Sequence, residues 1–162
     1  MAYIIRPFTV DDAPALASLT LAAIRHVGAR QYGPAQIAAW ASRHPGAERF
    51  IARAEGGSEI SVAADADDAP VAYALVEPDG HFDMLYCHPD HTRKGLAEQL
   101  LADCETKARV MGAPRLYTEA SELARPAFER AGYAVLHRRD FEIEHGEETV
   151  PIHNYAMEKL LD

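Results

Sequence analysis

The chain has 162 residues, of which 48% are hydrophobic and 25% charged, and it carries a net charge of −9. That size and balance fit one domain, residues 1–162, with a substantial core, and exclude a disordered or fibrous chain. No apolar run approaches the ~20 residues needed to span a bilayer, and basic residues form only short clusters such as Arg93-Lys94 and Arg138-Arg139, so neither a membrane nor a nucleic acid is an expected partner.

In chain order, Tyr3–Arg6 reads as a strand, with no basic or hydrophobic leader character in front of it. Thr9 and Asp12 form a capping-box pattern ahead of a helix whose apolar residues are Leu16, Leu19, Ala23, Ile24 and Val27. Pro34 opens a second helix carrying Ile37 and Trp40, with Trp40 assigned to the core. A third short helix is expected over Ala47–Ala54, stopped by Gly56-Gly57. Ile60–Ala64, Val71–Val76 and His81–Cys87 read as three hairpin-linked strands, separated by Asp65-Ala66-Asp67-Asp68 and by Pro78-Asp79-Gly80. A long helix over Lys94–Met111 has the stripe Leu96, Leu100, Leu101, Cys104, Ala108 and Met111. Leu116–Thr118 reads as a strand, Glu122–Arg130 as a helix, and Tyr133–Ile143 and Val150–Leu160 as two strands around Gly146. The fold class is α/β of the mixed α+β kind, with the long helix packed on the sheet.

The segment Leu85-Tyr86-Cys87-His88-Pro89-Asp90-His91-Thr92-Arg93-Lys94-Gly95-Leu96-Ala97 carries the chemistry. A strand ends, a polar loop follows, and a long helix begins at a basic turn with a glycine. The first helical turn leaves backbone N–H groups unpaired, and with the helix dipole they form an anion site. Gly95 lets a phosphate approach the backbone, Ala97 keeps the next turn small, and Arg93 and Lys94 add charge. Read alone, these residues support a generic anion site; they form neither a dinucleotide fingerprint nor a P-loop.

The run from His88 to Ala97 after an apolar strand resembles the acetyl-CoA-binding motif of the GNAT superfamily of N-acetyltransferases. The family signature Gln/Arg-x-x-Gly-x-Gly/Ala maps onto Thr92-Arg93-Lys94-Gly95-Leu96-Ala97, with Thr92 departing from the usual residue. Ile4-Ile5-Arg6-Pro7 with Asp11-Asp12 is similar to the family's opening strand and helix. The stretch from Ala120 to Tyr133, with Ala124, Ala127, Phe128, Glu129 and Gly132, resembles its C-terminal block, and Tyr155–Lys159 its last strand. The resemblance implies a GNAT-like fold with a central, mostly antiparallel, twisted sheet of about six to seven strands and flanking helices. It also implies acetyl-CoA as acyl donor, with Leu85, Tyr86, Cys87, the Thr92–Ala97 run, Ser121 and Phe128 as its contacts, and a homodimer as an assembly open to the chain. Ser121 stands where the family often has Asn, and Phe128 where many members have the Tyr that protonates the leaving thiolate.

The expected reaction is acetyl transfer from a thioester to an amine of a small molecule or of an exposed protein or peptide, by direct attack in a ternary complex. Only the neutral amine is nucleophilic, so a base is useful. On a period-two strand His81, Asp83, Leu85 and Cys87 share one face, which makes His81 and Asp83 candidates. Glu119 is a third candidate base, and Tyr86, Tyr117 and Tyr155 are candidate acids. His26, Arg30 and Tyr32, in the N-terminal helical segment, are candidate acceptor contacts. The thiol of Cys87 is read as packing. The eight histidines show no metal-ligand spacing, and no metal is expected. Two cysteines, Cys87 and Cys104, are too few for a disulfide framework, and a cytoplasmic setting with free thiols is expected. The alternative to an enzyme is a non-catalytic acyl-CoA-binding or sensing module, motivated by Ser121 and Phe128.

Overall fold

A computed structural model describes residues 2–44 and 46–162. The strands are β1 (Ile4–Pro7), β2 (Glu59–Ala64), β3 (Pro70–Val76), β4 (Phe82–Cys87), β5 (Arg115–Ala120), β6 (Ala134–His145) and β7 (Glu148–Leu160). The helices are α1 (Ala13–Ala22), α2 (Pro34–Ala41), α3 (Glu48–Glu55), α4 (Leu96–Val110) and α5 (Arg125–Arg130). Seven strands in a mixed α/β order agree with the class read from the sequence.

They form a four-stranded sheet, β1-β2-β3-β4, and a three-stranded sheet, β5-β7-β6, with every ladder antiparallel. The two sheets are stitched at one end only. Tyr117 N–H donates to the Gly80 carbonyl at 3.1 Å, His81 bridges Tyr117 in parallel, and the Thr118 hydroxyl donates to the Phe82 carbonyl at 2.7 Å. Gly80 permits this approach: its φ is +99°, and a Cβ there would sit 2.0 Å from the Arg115 carbonyl oxygen. Beyond the stitch, β4 and β5 leave their ladders with each other unmade, and the sheet opens.

β3 is buried on both faces, which explains its unbroken apolar run. One face packs on the α4 stripe of Leu96, Leu100, Leu101, Cys104 and Ala108, with Phe128 and Tyr133 closing the cluster. The other face packs on Leu16 and Leu19 of α1 and Phe50 of α3. A third cluster joins Tyr32 and Ala39 to Ile143, Val150 and Ile152 of the β6–β7 hairpin.

The helix that begins at α1 does not end at Ala22; it widens into a π-turn over Ala23–Val27 and tightens again over Gly28–Arg30. Its start is fixed by Asp12. That carboxylate accepts the Thr9 backbone N–H at 2.8 Å and pairs bidentately with Arg6 at 2.8 and 2.9 Å. Burial alone would raise the Asp12 pKa, but the bonds from Arg6 and Thr9 outweigh it and hold it below the usual carboxylate value. A depressed folded-state pKa contributes stability above the unfolded pKa, and that contribution is lost as pH falls through the folded value. Asp12→Asn is therefore expected to cost about 2 kcal/mol near neutral pH. Denaturant melts of the two proteins should converge as the pH is taken below 4, the ordinary carboxylate range.

Candidate active site

β4 carries the decisive irregularity. Leu75 pairs with Met84 and Val76 with Phe82, so Asp83 is an extra residue in a bulge. The bulge breaks the strict alternation expected for His81, Asp83, Leu85 and Cys87. Phe82, Leu85 and Cys87 pack toward α4, while Met84 and Tyr86 pack toward α1 and α3.

Where β4 and β5 part, two cavities meet. A slot of about 150 Å³ is lined by Leu85, Cys87, Thr92, Ala97, Leu100 and Ala127, with Ala23, Ile24 and Val27 of the π-turn on its far side. A cavity of about 640 Å³ lies beyond it, with Phe82–Tyr86, Thr118–Ser121 and residues of the β6–β7 hairpin in its wall. Trp40, Leu85, Tyr86, Ser121 and Ala124 belong to both. Trp40, assigned from the sequence to the core, is half-buried and faces both spaces. A volume of that size falls within the ~300–1,000 Å³ of small-molecule sites.

The slot leads to the start of α4. Arg93 has φ +61° and Gly95 φ +77°, while Lys94 between them keeps a negative φ. Such alternation turns successive N–H groups toward one concavity, an anion nest. A Cβ built on Gly95 would have no heavy atom within 4 Å, so the space above the nest is open. Arg93 and Lys94 are exposed, and Leu96 is buried beneath. The Thr92 hydroxyl donates to the Pro89 carbonyl at 3.2 Å, and the Ser121 hydroxyl accepts the Ala124 N–H at 3.1 Å, so both shape the loops that bear them.

His81, Asp83 and Glu119 are brought together, with ligand atoms within 4.8 Å of one another. Glu119 and Asp83 line the large cavity; His81 stands behind them. His81 Nε2 binds Glu119 at 2.8 Å, Nδ1 binds Glu77 at 2.6 Å, and the ring stacks on Tyr117 at 4.8 Å. The bond to Glu119 raises the His81 pKa to about 9, against the opposing effect of burial and with help from Glu77. His81 is thus an imidazolium at neutral pH. Asp83 is paired with Arg53 at 2.8 Å.

Tyr155 lies opposite Ala120, donates to the Glu122 carboxylate and supports Arg125 on its ring, outside the cavity lining. Tyr117 donates to Asp79 at 2.5 Å, which raises its pKa to about 12. Tyr32 lines the cavity, donating to the His153 carbonyl and accepting the Glu122 N–H, both at 3.0 Å. His26 and Arg30 are exposed and line neither cavity; they fall on the outward side of the π-turn and the tight turn after it. Phe128 is 2% exposed and meets Phe82 edge-on at 5.2 Å, so the position offers an apolar wall and no proton. Burial pushes the Cys87 thiol up to about 11, which keeps it a thiol at neutral pH.

A family model described as an acetyltransferase (GNAT) domain matches residues 28–157. The chain belongs to the GNAT superfamily of N-acetyltransferases. YafP of Escherichia coli K12, an uncharacterized N-acetyltransferase, is 28% identical over 138 residues, covering 85% of each chain. A GCN5-related N-acetyltransferase from Rhodopseudomonas palustris, also described as a class-II aminotransferase, is 31% identical. Its structure superposes with a TM-score of 0.85 over 99% of this chain and 97% of that one. The PaiA N-acetyltransferase of Thermoplasma acidophilum, solved with coenzyme A, shares the fold at 18% identity, with a TM-score of 0.77 over 99% of this chain and all of that one. As a GNAT protein the chain is an N-acetyltransferase, an enzyme of the acyltransferase class.

The GNAT site also contains residues that sequence reading missed. His44 accepts from Arg49 Nη1 at Nδ1 (3.1 Å), since a guanidinium can only donate, so its proton lies on Nε2, 3.3 Å from the Tyr86 hydroxyl. Burial, with Arg49 adding to it, lowers the His44 pKa to about 4 and keeps the ring neutral. Arg139, Phe141 and Ile143 of β6 line the opposite wall. Their period-two spacing was a legible signal; nothing local marks His44. Among the described residues no helix is long and apolar enough to cross a membrane.

Proposed function

We propose that this enzyme, as one domain over residues 1–162, transfers the acetyl group of acetyl-CoA to an amine of a small molecule by direct attack in a ternary complex. The observation that carries this reading is the continuity of the anion nest at Arg93–Gly95, the narrow slot and the larger cavity. A diphosphate, a thin arm and an acceptor are three ligand parts that need three such spaces in that order. Solved relatives described with coenzyme A or acetyl-CoA support the donor.

Bound acetyl-CoA supplies the thioester carbonyl. The chain supplies the rest. N–H groups of residues 93–97, with Arg93 and Lys94, hold the diphosphate. The bulged β4 backbone offers an amide outside the ladder toward the carbonyl oxygen, where negative charge develops. Glu119 receives a proton from the acceptor ammonium, and His81 positions its carboxylate. As the N–C bond forms and the C–S bond breaks, the second amine proton goes to the departing sulfur, with solvent as relay. Phe128 walls that end and donates no proton. The un-ionised Cys87 thiol favours direct attack over an acetyl-enzyme.

Thermal unfolding tests the donor. Saturating acetyl-CoA should raise Tm by several degrees through linkage, and ATP at the same concentration should not. Equal shifts from both would reduce the nest to a general phosphate site.

A further inference from the structure

The cavity that receives the acceptor carries charge that acetyl transfer itself does not require. In a chain of net charge −9, three arginines, Arg43, Arg49 and Arg139, line this one space. Among the described residues none of the three forms an ion pair. The contrast within the chain is sharp: the half-buried arginines Arg6, Arg53, Arg115 and Arg125 each have a carboxylate partner, whereas the half-buried Arg49 and Arg139 have none.

The carboxylates of the same wall do not compensate them. Asp83 pairs with Arg53 and Glu119 with His81, and Glu142 forms no ion pair among the described residues. Both guanidiniums are instead aimed by neutral groups. Arg49 Nη1 donates to the Arg43 carbonyl at 2.6 Å and to His44 at 3.1 Å. Arg139 Nη1 donates to the Asn154 side-chain oxygen at 2.9 Å and lies over the Phe141 ring at 5.2 Å. Partial burial of an unpaired cation is unfavourable, and fixing its orientation with neutral partners leaves its charge free for a ligand.

We infer that the acceptor is an anionic amine: a small molecule with an amino group and, at its other end, a carboxylate or phosphonate-type oxyanion. The ammonium faces Asp83 and Glu119, and the oxyanion faces Arg49 and Arg139, with Arg43 at the rim. This deepens the acetyl-transfer reading and rests on it.

The test compares acceptors in matched pairs: L-amino acids against their methyl esters, and aminoethylphosphonate against ethanolamine. Esterification lowers the basicity of the amine and leaves more of it neutral, so intrinsic reactivity favours the ester. The inference expects the reverse, with kcat/KM for the anionic member at least about 10-fold higher and the difference residing in KM. In Arg49→Gln and in Arg139→Gln that ratio should shrink by about 10-fold to 100-fold. Arg139→Gln retains an amide able to bond Asn154, so it stays informative if the Arg49 variant folds poorly. Equal or better turnover of the esters by the wild type, or an unchanged ratio in both variants, would overturn the inference while leaving acetyl transfer intact. If no amine of the panel is acetylated, the transfer reading fails, and calorimetric binding of the same compounds still decides the matter. Selective binding of the anionic members, weakened in Arg139→Gln, supports the anion site; equal binding within each pair sinks it.

Discussion

Gly95→Glu is expected to weaken acetyl-CoA binding by at least ~100-fold, because two charge-assisted contacts at ~1.5–3 kcal/mol each are lost and a like charge is set in their place. The new side chain would project into open space, where a Cβ meets no atom within 4 Å. The fold therefore tolerates its bulk. It does not tolerate the backbone equally well: at φ +77° an L-residue costs about 1–2 kcal/mol. Gly95→Ala separates the two effects, since it bears the same strain without the charge. It should lose stability and, in a calorimetric titration, lose less acetyl-CoA affinity than Gly95→Glu, because its methyl group crowds the diphosphate without repelling it. Wild-type affinity in Gly95→Glu would move the donor away from the start of α4.

Glu119→Gln is expected to lower kcat/KM by about 10²–10⁴-fold while leaving the dissociation constant of acetyl-CoA near its wild-type value. The substitution keeps size and one oxygen but removes the charge proposed to accept the proton. His81 is expected to set the pH window. Its raised pKa means that its contribution, to stability as to the positioning of Glu119, is present below the ordinary histidine value and is lost as pH rises through about 9. A pH–rate profile should thus bend downward near there in the wild type, and His81→Ala should lack that bend and run lower throughout. Full activity in Glu119→Gln would transfer the base role to another group, with Asp83 next to it in the bulge.

Much of the fold was legible because it rests on local periodicity. The stripe of α4, the hairpin turns of β2 to β4 and the long β6–β7 pair each follow from apolar spacing bounded by turn residues. The features that were not legible depend on partners distant in sequence. The alternation from His81 to Cys87 reads as an unbroken strand, and only its register against β3 creates the bulge at Asp83. Glu122 reads as a helix start, but Ser121 caps a turn first and α5 begins at Arg125. His26 and Arg30 sit in the helical segment expected to contact the acceptor. The π-turn between Ala23 and Val27 leaves them exposed and gives Ile24 and Val27 to the slot instead. His44 and Arg49 reach the cavity only because α2 and α3 dock on either side of Tyr86.

The Phe128 substitution has a structural consequence beyond the missing hydroxyl. The ring meets Phe82 and Tyr133 edge-to-face at 5.2 and 4.9 Å, so this corner of the site is part of the core. The Tyr133 hydroxyl is buried without a partner among the described residues, and burial raises its pKa. It does not line the cavity and supplies no substitute acid there. In the proposed reaction solvent therefore delivers the proton to the departing sulfur.

Acetyl transfer from acetyl-CoA to an amine can be read by mass spectrometry of the purified enzyme mixed with acetyl-CoA and an amine panel. One acetylated amine is expected per coenzyme A thiol released, with the protein itself unmodified. Acetyl-CoA that binds but leaves every amine of the panel unacetylated, or an acetyl group that accumulates on Cys87, would contradict it.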